Sequence, residues 1–169
     1  MEESTENNKS VDDGIDRLWA QLASPDTSLF AILDSCDEPR ILQRVEELGA
    51  SASCLYRGQA KVDHNAIAPY LAIVDRDLFG WIIRELADTP WGILGCSSAT
   101  LIELRKHFRK FLMVEDPDGN ELYFRFYDPR VLPTFVENCN ADEKNEFFGP
   151  VDRFATLNAD GEVRVLNQT

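Results

Sequence analysis

Phe124-Arg125-Phe126-Tyr127-Asp128-Pro129-Arg130 sets two arginines and an aspartate inside the most aromatic stretch of the chain. A charge beside an apolar core is costly unless it is paired and hydrogen-bonded. The run is therefore either a reactive centre or an ionic clamp. In a strand, Phe124 and Phe126 share one face while Tyr123, Arg125 and Tyr127 share the other. Asp128-Pro129 would end that strand and begin a helix, with Asp as cap and Pro at its first position. Two arginines around one aspartate leave a positive excess that Asp152 is placed to meet. No group that a reaction needs stands near them in sequence, so Arg125, Tyr127, Asp128 and Arg130 read as a structural clamp at a strand-to-helix corner.

Other residues with chemical potential are weaker candidates. Asp34 and Asp75 each follow an apolar run, and aspartates clustered at strand ends can hold Mg²⁺ for phosphoryl transfer. Aspartate is also the commonest residue for entering a turn or capping a helix. Asp116-Pro117-Asp118-Gly119-Asn120-Glu121 has a glycine at its fourth position, where a calcium-binding loop needs one at its sixth. His64 and His107 are the two histidines, and no nucleophile elbow or phosphate-binding glycine loop accompanies them. Cys36, Cys54, Cys96 and Cys139 form no close pair of the kind that holds zinc, and are expected to be reduced and mostly buried. Neither metal nor cofactor is expected. Arg105, Lys106, Arg109 and Lys110 form a basic face on one predicted helix, a solvated surface or a docking face for an acidic partner.

The elements that must position these residues follow from apolar periodicity. Ile15, Leu18, Trp19 and Leu22 predict a helix that Pro25-Asp26 ends. Leu29–Leu33 predicts a buried strand, and Asp37 with Pro39 opens a helix that Gly49 stops. Ser53–Arg57, Tyr70–Asp75 and Trp91–Cys96 predict further strands. Leu78–Ala87 and Ser98–Lys110 predict amphipathic helices. Phe111–Glu115 and Glu121–Tyr127 flank a hairpin turn. Val131–Val136 and Asp142–Phe148 predict helices, and Val151–Leu157 with Glu162–Leu166 a second hairpin around Asn158-Ala159-Asp160-Gly161. The expected fold is a single α/β domain: a mixed sheet with antiparallel hairpins in the C-terminal half and helices packed on it.

The 169 residues suit one domain, and 17 basic against 30 acidic residues give a net charge of −13. That charge repels phosphate backbones and anionic membrane surfaces, so neither nucleic acid nor membrane is an expected partner. Residues 1–16 carry six acidic residues against Lys9 alone. Residues 1–14 lack the charged and apolar regions of a signal peptide and are expected to be an acidic, disordered leader before a domain over residues 15–169. No apolar run approaches the roughly 20 residues that span a bilayer, and a cytoplasmic location is expected.

A family resemblance rests on several of these segments. The Leu29–Asp34 strand, Asp37-Glu38-Pro39-Arg40, Leu55-Tyr56-Arg57-Gly58, Ala68-Pro69-Tyr70-Leu71, Trp91-Gly92-Ile93 and Leu104 to Phe111 follow in order. Phe124 to Leu132 and Phe148-Gly149-Pro150-Val151 complete the set. In this succession the chain resembles the type VI secretion adaptor/chaperone domain, long catalogued as a domain of unknown function, over about residues 27–155. The Phe-Arg-Phe-Tyr-Asp-Pro-Arg run and the Trp-Gly pair are its most specific parts. The resemblance implies a non-enzymatic protein that holds a cognate toxic effector in the bacterial cytosol and helps load it onto the VgrG spike. It supplies no catalytic residues. An adaptor needs exposed apolar area or an open sheet edge ringed with charge. Val163 and Val165 near the chain end, with the Arg105, Lys106, Arg109 and Lys110 face, are the candidate partner-binding residues. The competing readings are a cytosolic immunity protein that neutralises a toxin, and a Mg²⁺-dependent phosphoryl-transfer enzyme using Asp34 and Asp75.

Overall fold

Helix α1 (Glu2–Leu22) precedes β1 (Ser28–Asp34), α2 (Pro39–Leu48), β2 (Ala52–Cys54), β3 (Pro69–Ile73), α3 (Arg76–Glu85) and β4 (Gly92–Ser97). The computed structural model describes residues 2–58, 63–158 and 160–168. Met1, residues 59–62 (with Lys61 and Val62), Ala159 of the second turn and Thr169 lie outside them. The chain continues with α4 (Leu101–Phe108), β5 (Met113–Glu115), β6 (Glu121–Tyr123), α5 (Leu132–Asn138), α6 (Ala141–Phe148), β7 (Arg153–Leu157) and β8 (Val163–Asn167). Among the described helices none is long and apolar enough to cross a membrane.

One six-stranded sheet has the order β2-β3-β1-β4-β7-β8, and β5 pairs with β6 in a separate two-stranded sheet. Every pairing is antiparallel. Because β3 lies antiparallel between β1 and β2, those two run parallel to each other, joined by the α2 crossover. In the same way β1 lies between β3 and β4, which α3 joins. These are interlocked split βαβ units. The hairpin β7–β8 then widens the sheet beyond β4. This is the single mixed α/β domain expected from the alternation of runs.

Local chemistry explains the boundaries. Leu29 to Leu33 is buried throughout, as a central strand covered on both faces requires. Asp75 caps α3 by accepting from the Leu78 amide at 2.8 Å. Thr100 and Glu103 cap α4 reciprocally in a capping box. Glu38, not Asp37, caps α2, taking the Arg40 amide at 3.3 Å. The Trp91-Gly92 pair has a steric reason. Gly92 has φ +144°, and a Cβ there would sit 1.9 Å from the Ile32 carbonyl oxygen on β1.

Helix α1 runs from Glu2 to Leu22 and takes in the residues expected to form the leader. Its polar side is tied to α3: Asp12 takes Arg84 Nη2 at 2.6 Å, Asp16 pairs with Arg76, and Trp19 meets the Phe79 ring edge at 5.4 Å. The strand expected over Glu121–Tyr127 stops at Tyr123. The Phe124 amide bonds Leu112 O at 2.9 Å, and a turn closed by Asp128 N on Arg125 O then drops Phe126 into the core. Asp128 and Pro129 lie in that turn, so they do not cap α5, which begins at Leu132.

The core is aromatic on the side that matters for the site. Phe126 is fully buried and stacks on Phe108 at 5.7 Å, while Phe147 meets Phe126 at 5.6 Å and Phe154 at 5.3 Å. Burying one such ring contributes about 1.5–3 kcal/mol. Phe126 thereby fixes its neighbours Arg125, Tyr127 and Asp128 against the end of β1.

Candidate functional site

Asp34 ends β1 with its carboxylate 3% exposed. Its backbone amide bonds Trp91 O at 2.7 Å, and its Oδ1 takes the Cys36 amide at 3.1 Å. Oδ2 takes Arg125 Nη2 from the loop after β6. The bond to Asp34 raises the Arg125 guanidinium above its ordinary range, so this arginine stays charged.

The clamp expected among Arg125, Tyr127, Asp128 and Arg130 is thus two separate ion pairs. Asp128 is buried, and Arg130 folds back on it as a fork: Nε to Oδ1 at 2.9 Å, Nη2 to Oδ2 at 2.6 Å. The Arg130 amide adds a bond to Oδ1 at 2.8 Å. Burial pushes the Asp128 carboxyl up, but these bonds outweigh it and hold it below the usual carboxylate range. Arg125 serves Asp34 instead. No described ion pair joins Asp152 to the cluster. Tyr127 is buried, and burial pushes its phenol far above the ordinary value.

Asp34 and Asp75 do not meet. In the antiparallel register Asp34 stands opposite Pro69, at the start of β3, whereas Asp75 follows the end of β3. The two carboxylates therefore lie at opposite ends of the sheet, and each has a structural partner.

The basic face is also partly consumed. Arg109 Nε bonds Leu55 O at 2.9 Å, and its Nη2 bonds Cys54 O at 3.0 Å and Tyr56 O at 3.2 Å. Arg105 Nη1 reaches Ser53 Oγ at 3.1 Å. These two arginines close the exit of β2, an edge strand, onto α4. Lys106 and Lys110 are the exposed members. On the opposite edge, Val165 of β8 is 36% exposed and Val163 is half-buried. The structure does not gather these six residues into one surface: Arg105 and Arg109 adjoin β2, while Val163 and Val165 sit on the far edge of the sheet.

The structure adds a surface that the sequence reading did not single out. The β5–β6 hairpin leaves Met113, Val114, Leu122 and Tyr123 exposed, although these apolar residues face each other across it in register. Tyr123 stacks obliquely against Tyr56 at 5.4 Å. Beside it a cavity of 260 Å³ opens between Tyr56, His64, Ile67, Tyr123, Arg125 and Tyr127. The available signal was the loss of alternation: Met113-Val114 and Leu122-Tyr123 put apolar side chains on both faces of a two-stranded ribbon.

The family model described as Domain of unknown function (DUF4123) matches residues 29–146. The chain belongs to this family. The match begins in β1 and ends in α6, so the DUF4123 part contains both ion pairs, the hairpin and the aromatic cavity, and leaves α1, β7 and β8 outside it. No curated protein and no solved structure matches the chain.

Proposed function

We propose that this DUF4123 protein is a non-enzymatic adaptor/chaperone. In this reading it binds a cognate toxic effector in the bacterial cytosol and promotes its loading onto the VgrG spike of a type VI secretion system. The observation that carries the binding role is the β5–β6 hairpin, which holds Met113, Val114, Leu122 and Tyr123 out to solvent at 38–54% exposure. Contiguous exposed apolar side chains of this kind mark protein-binding surfaces. The secretion context comes from the resemblance carried by Phe124 to Leu132 and the Trp91-Gly92 pair. Asp34, Arg125, Asp128 and Arg130 act in this reading as scaffold, fixing the loop from which the hairpin projects.

Deleting the gene and following the toxin encoded beside it tests the proposal. An adaptor leaves the toxin active and retained inside the cell, with kin cells unharmed. If deletion instead kills the producing strain, and the purified protein inhibits the toxin, the protein is an immunity factor and the adaptor reading fails.

A further inference from the structure

The aromatic cavity has a rigid floor and an open rim. Tyr56 is 8% exposed and Tyr127 2%. On the rim, Ile67 is 46% and Tyr123 54% exposed. Cross-strand neighbours share a face of a hairpin, so Met113, opposite Tyr123, extends the same apolar wall outward. A packed floor with an exposed apolar rim is how binding hot spots are built. At 260 Å³ the space is smaller than the roughly 300–1,000 Å³ of small-molecule and cofactor sites, and suits one large side chain.

The wall also carries a directed charge. Arg125 lines the cavity, its side chain is 46% exposed, and Nη2 is its one nitrogen hydrogen-bonded among the described residues. Nε, Nη1 and the second Nη2 hydrogen make no hydrogen bond among the described residues, and Nη2 together with Nε or Nη1 forms the planar fork that matches a carboxylate. Arg57, next to Tyr56, is exposed and adds positive charge at the same end. On a chain of net charge −13, Arg57 and the solvent-facing part of Arg125 give an acidic segment local cations to meet at this end.

The geometry points to this cavity as the anchor site for a segment of the partner protein. The segment places an aromatic or large aliphatic side chain between Tyr56, Ile67, Tyr123 and Tyr127. An adjacent Asp or Glu carboxylate lies on Arg125. The inference rests on the adaptor reading and names the part of the surface, and the chemistry, by which that reading works.

Calorimetric titration of the full-length protein with the effector encoded beside its gene tests it. Ile67→Asp and Tyr123→Ser lie on the exposed rim and are expected to keep the wild-type melting temperature. Each weakens binding by about tenfold or more. Arg125→Lys keeps a cation for Asp34 but loses the fork, and weakens binding several-fold; Gln21→Ala, exposed on α1 and outside every candidate surface, leaves it unchanged. Wild-type affinity in both rim variants overturns the anchor site while the adaptor reading stands. Absence of binding by the wild-type protein overturns both. Tyrosine and arginine also suit a nucleic-acid base, so a fluorescein-labelled oligo-dT is titrated at physiological salt. Binding of the oligonucleotide that Tyr123→Ser abolishes would overturn the protein-segment assignment.

Discussion

Arg125 donates to Asp34 across 91 positions of sequence, joining the loop after the exposed hairpin to the end of the central strand. The carboxylate is buried and the guanidinium is half in solvent, so the pair is asymmetric: loss of the arginine strands a buried charge. Arg125→Ala should destabilise the domain by about 1–3 kcal/mol, less than for a fully buried pair because the arginine is solvated. Asp34→Asn in the same chain should recover part of that loss, since the amide still accepts from Cys36. Urea denaturation of the two single variants and the double variant checks this; equal stability of Arg125→Ala and wild type would contradict it.

Arg109 makes a different prediction from the other basic residues of its helix. It satisfies the carbonyls of Cys54, Leu55 and Tyr56 where the edge strand β2 ends. Arg109→Glu should cost about 1–3 kcal/mol and lower the melting temperature. Lys106→Glu, at an exposed position, should stay within about 0.5 kcal/mol of wild type. A melting temperature unchanged in Arg109→Glu would return this arginine to the free surface.

His107 ties stability to pH. It is buried between α4 and α6, with Nε2 donating to Phe147 O at 2.8 Å in the tautomer that this contact requires. Burial pushes its pKa below the ordinary value, against the Phe147 carbonyl, which raises it; Lys110 lowers it and Glu146 raises it further. The folded protein therefore keeps His107 neutral where the unfolded chain already binds a proton. Stability from this group is complete above about pH 6.5 and falls as the pH drops below it. His107→Gln, which keeps a donor for Phe147, should flatten the urea midpoint between about pH 6.5 and 5. A wild-type midpoint that does not fall over that range would contradict the assignment. Room for the ring comes from Gly149, where a Cβ would lie 2.4 Å from His107 Cε1.

Gly92→Ala should be among the most damaging single substitutions. Its φ of +144° suits glycine, and the added methyl would overlap the Ile32 carbonyl. The expected loss exceeds about 3 kcal/mol, measured as a fall in soluble expression and in the urea midpoint.

The order of elements was legible because apolar runs carry their own period. Leu29–Leu33 read as a buried strand and Trp91–Cys96 as a further strand, with helices between them. The pairing of Asp34 with Arg125 was not legible: it depends on a sheet register and on a turn at Arg125–Asp128 that brings distant residues together. Phe124-Arg125-Phe126 imitates strand alternation, yet Phe126 reaches the core through that turn. Arg109 bonds backbone carbonyls, and such bonds leave no partner residue to recognise in a sequence. The docking of α1 was not legible either, because the ion pairs of Asp16 with Arg76 and of Asp12 with Arg84 span 60 and 72 positions. The exposed hairpin was recognised as a hairpin, and the one sign that its apolar residues stay in solvent was the loss of alternation at Met113-Val114 and Leu122-Tyr123.

In the proposed role the protein brings an effector to its spike. The direct measurement is the amount of effector co-purifying with tagged VgrG from otherwise identical cells with and without this protein, with both partners at matched levels. The effector–VgrG complex should be recovered in the presence of the protein and be strongly depleted without it. Equal recovery in its absence would contradict the proposed role.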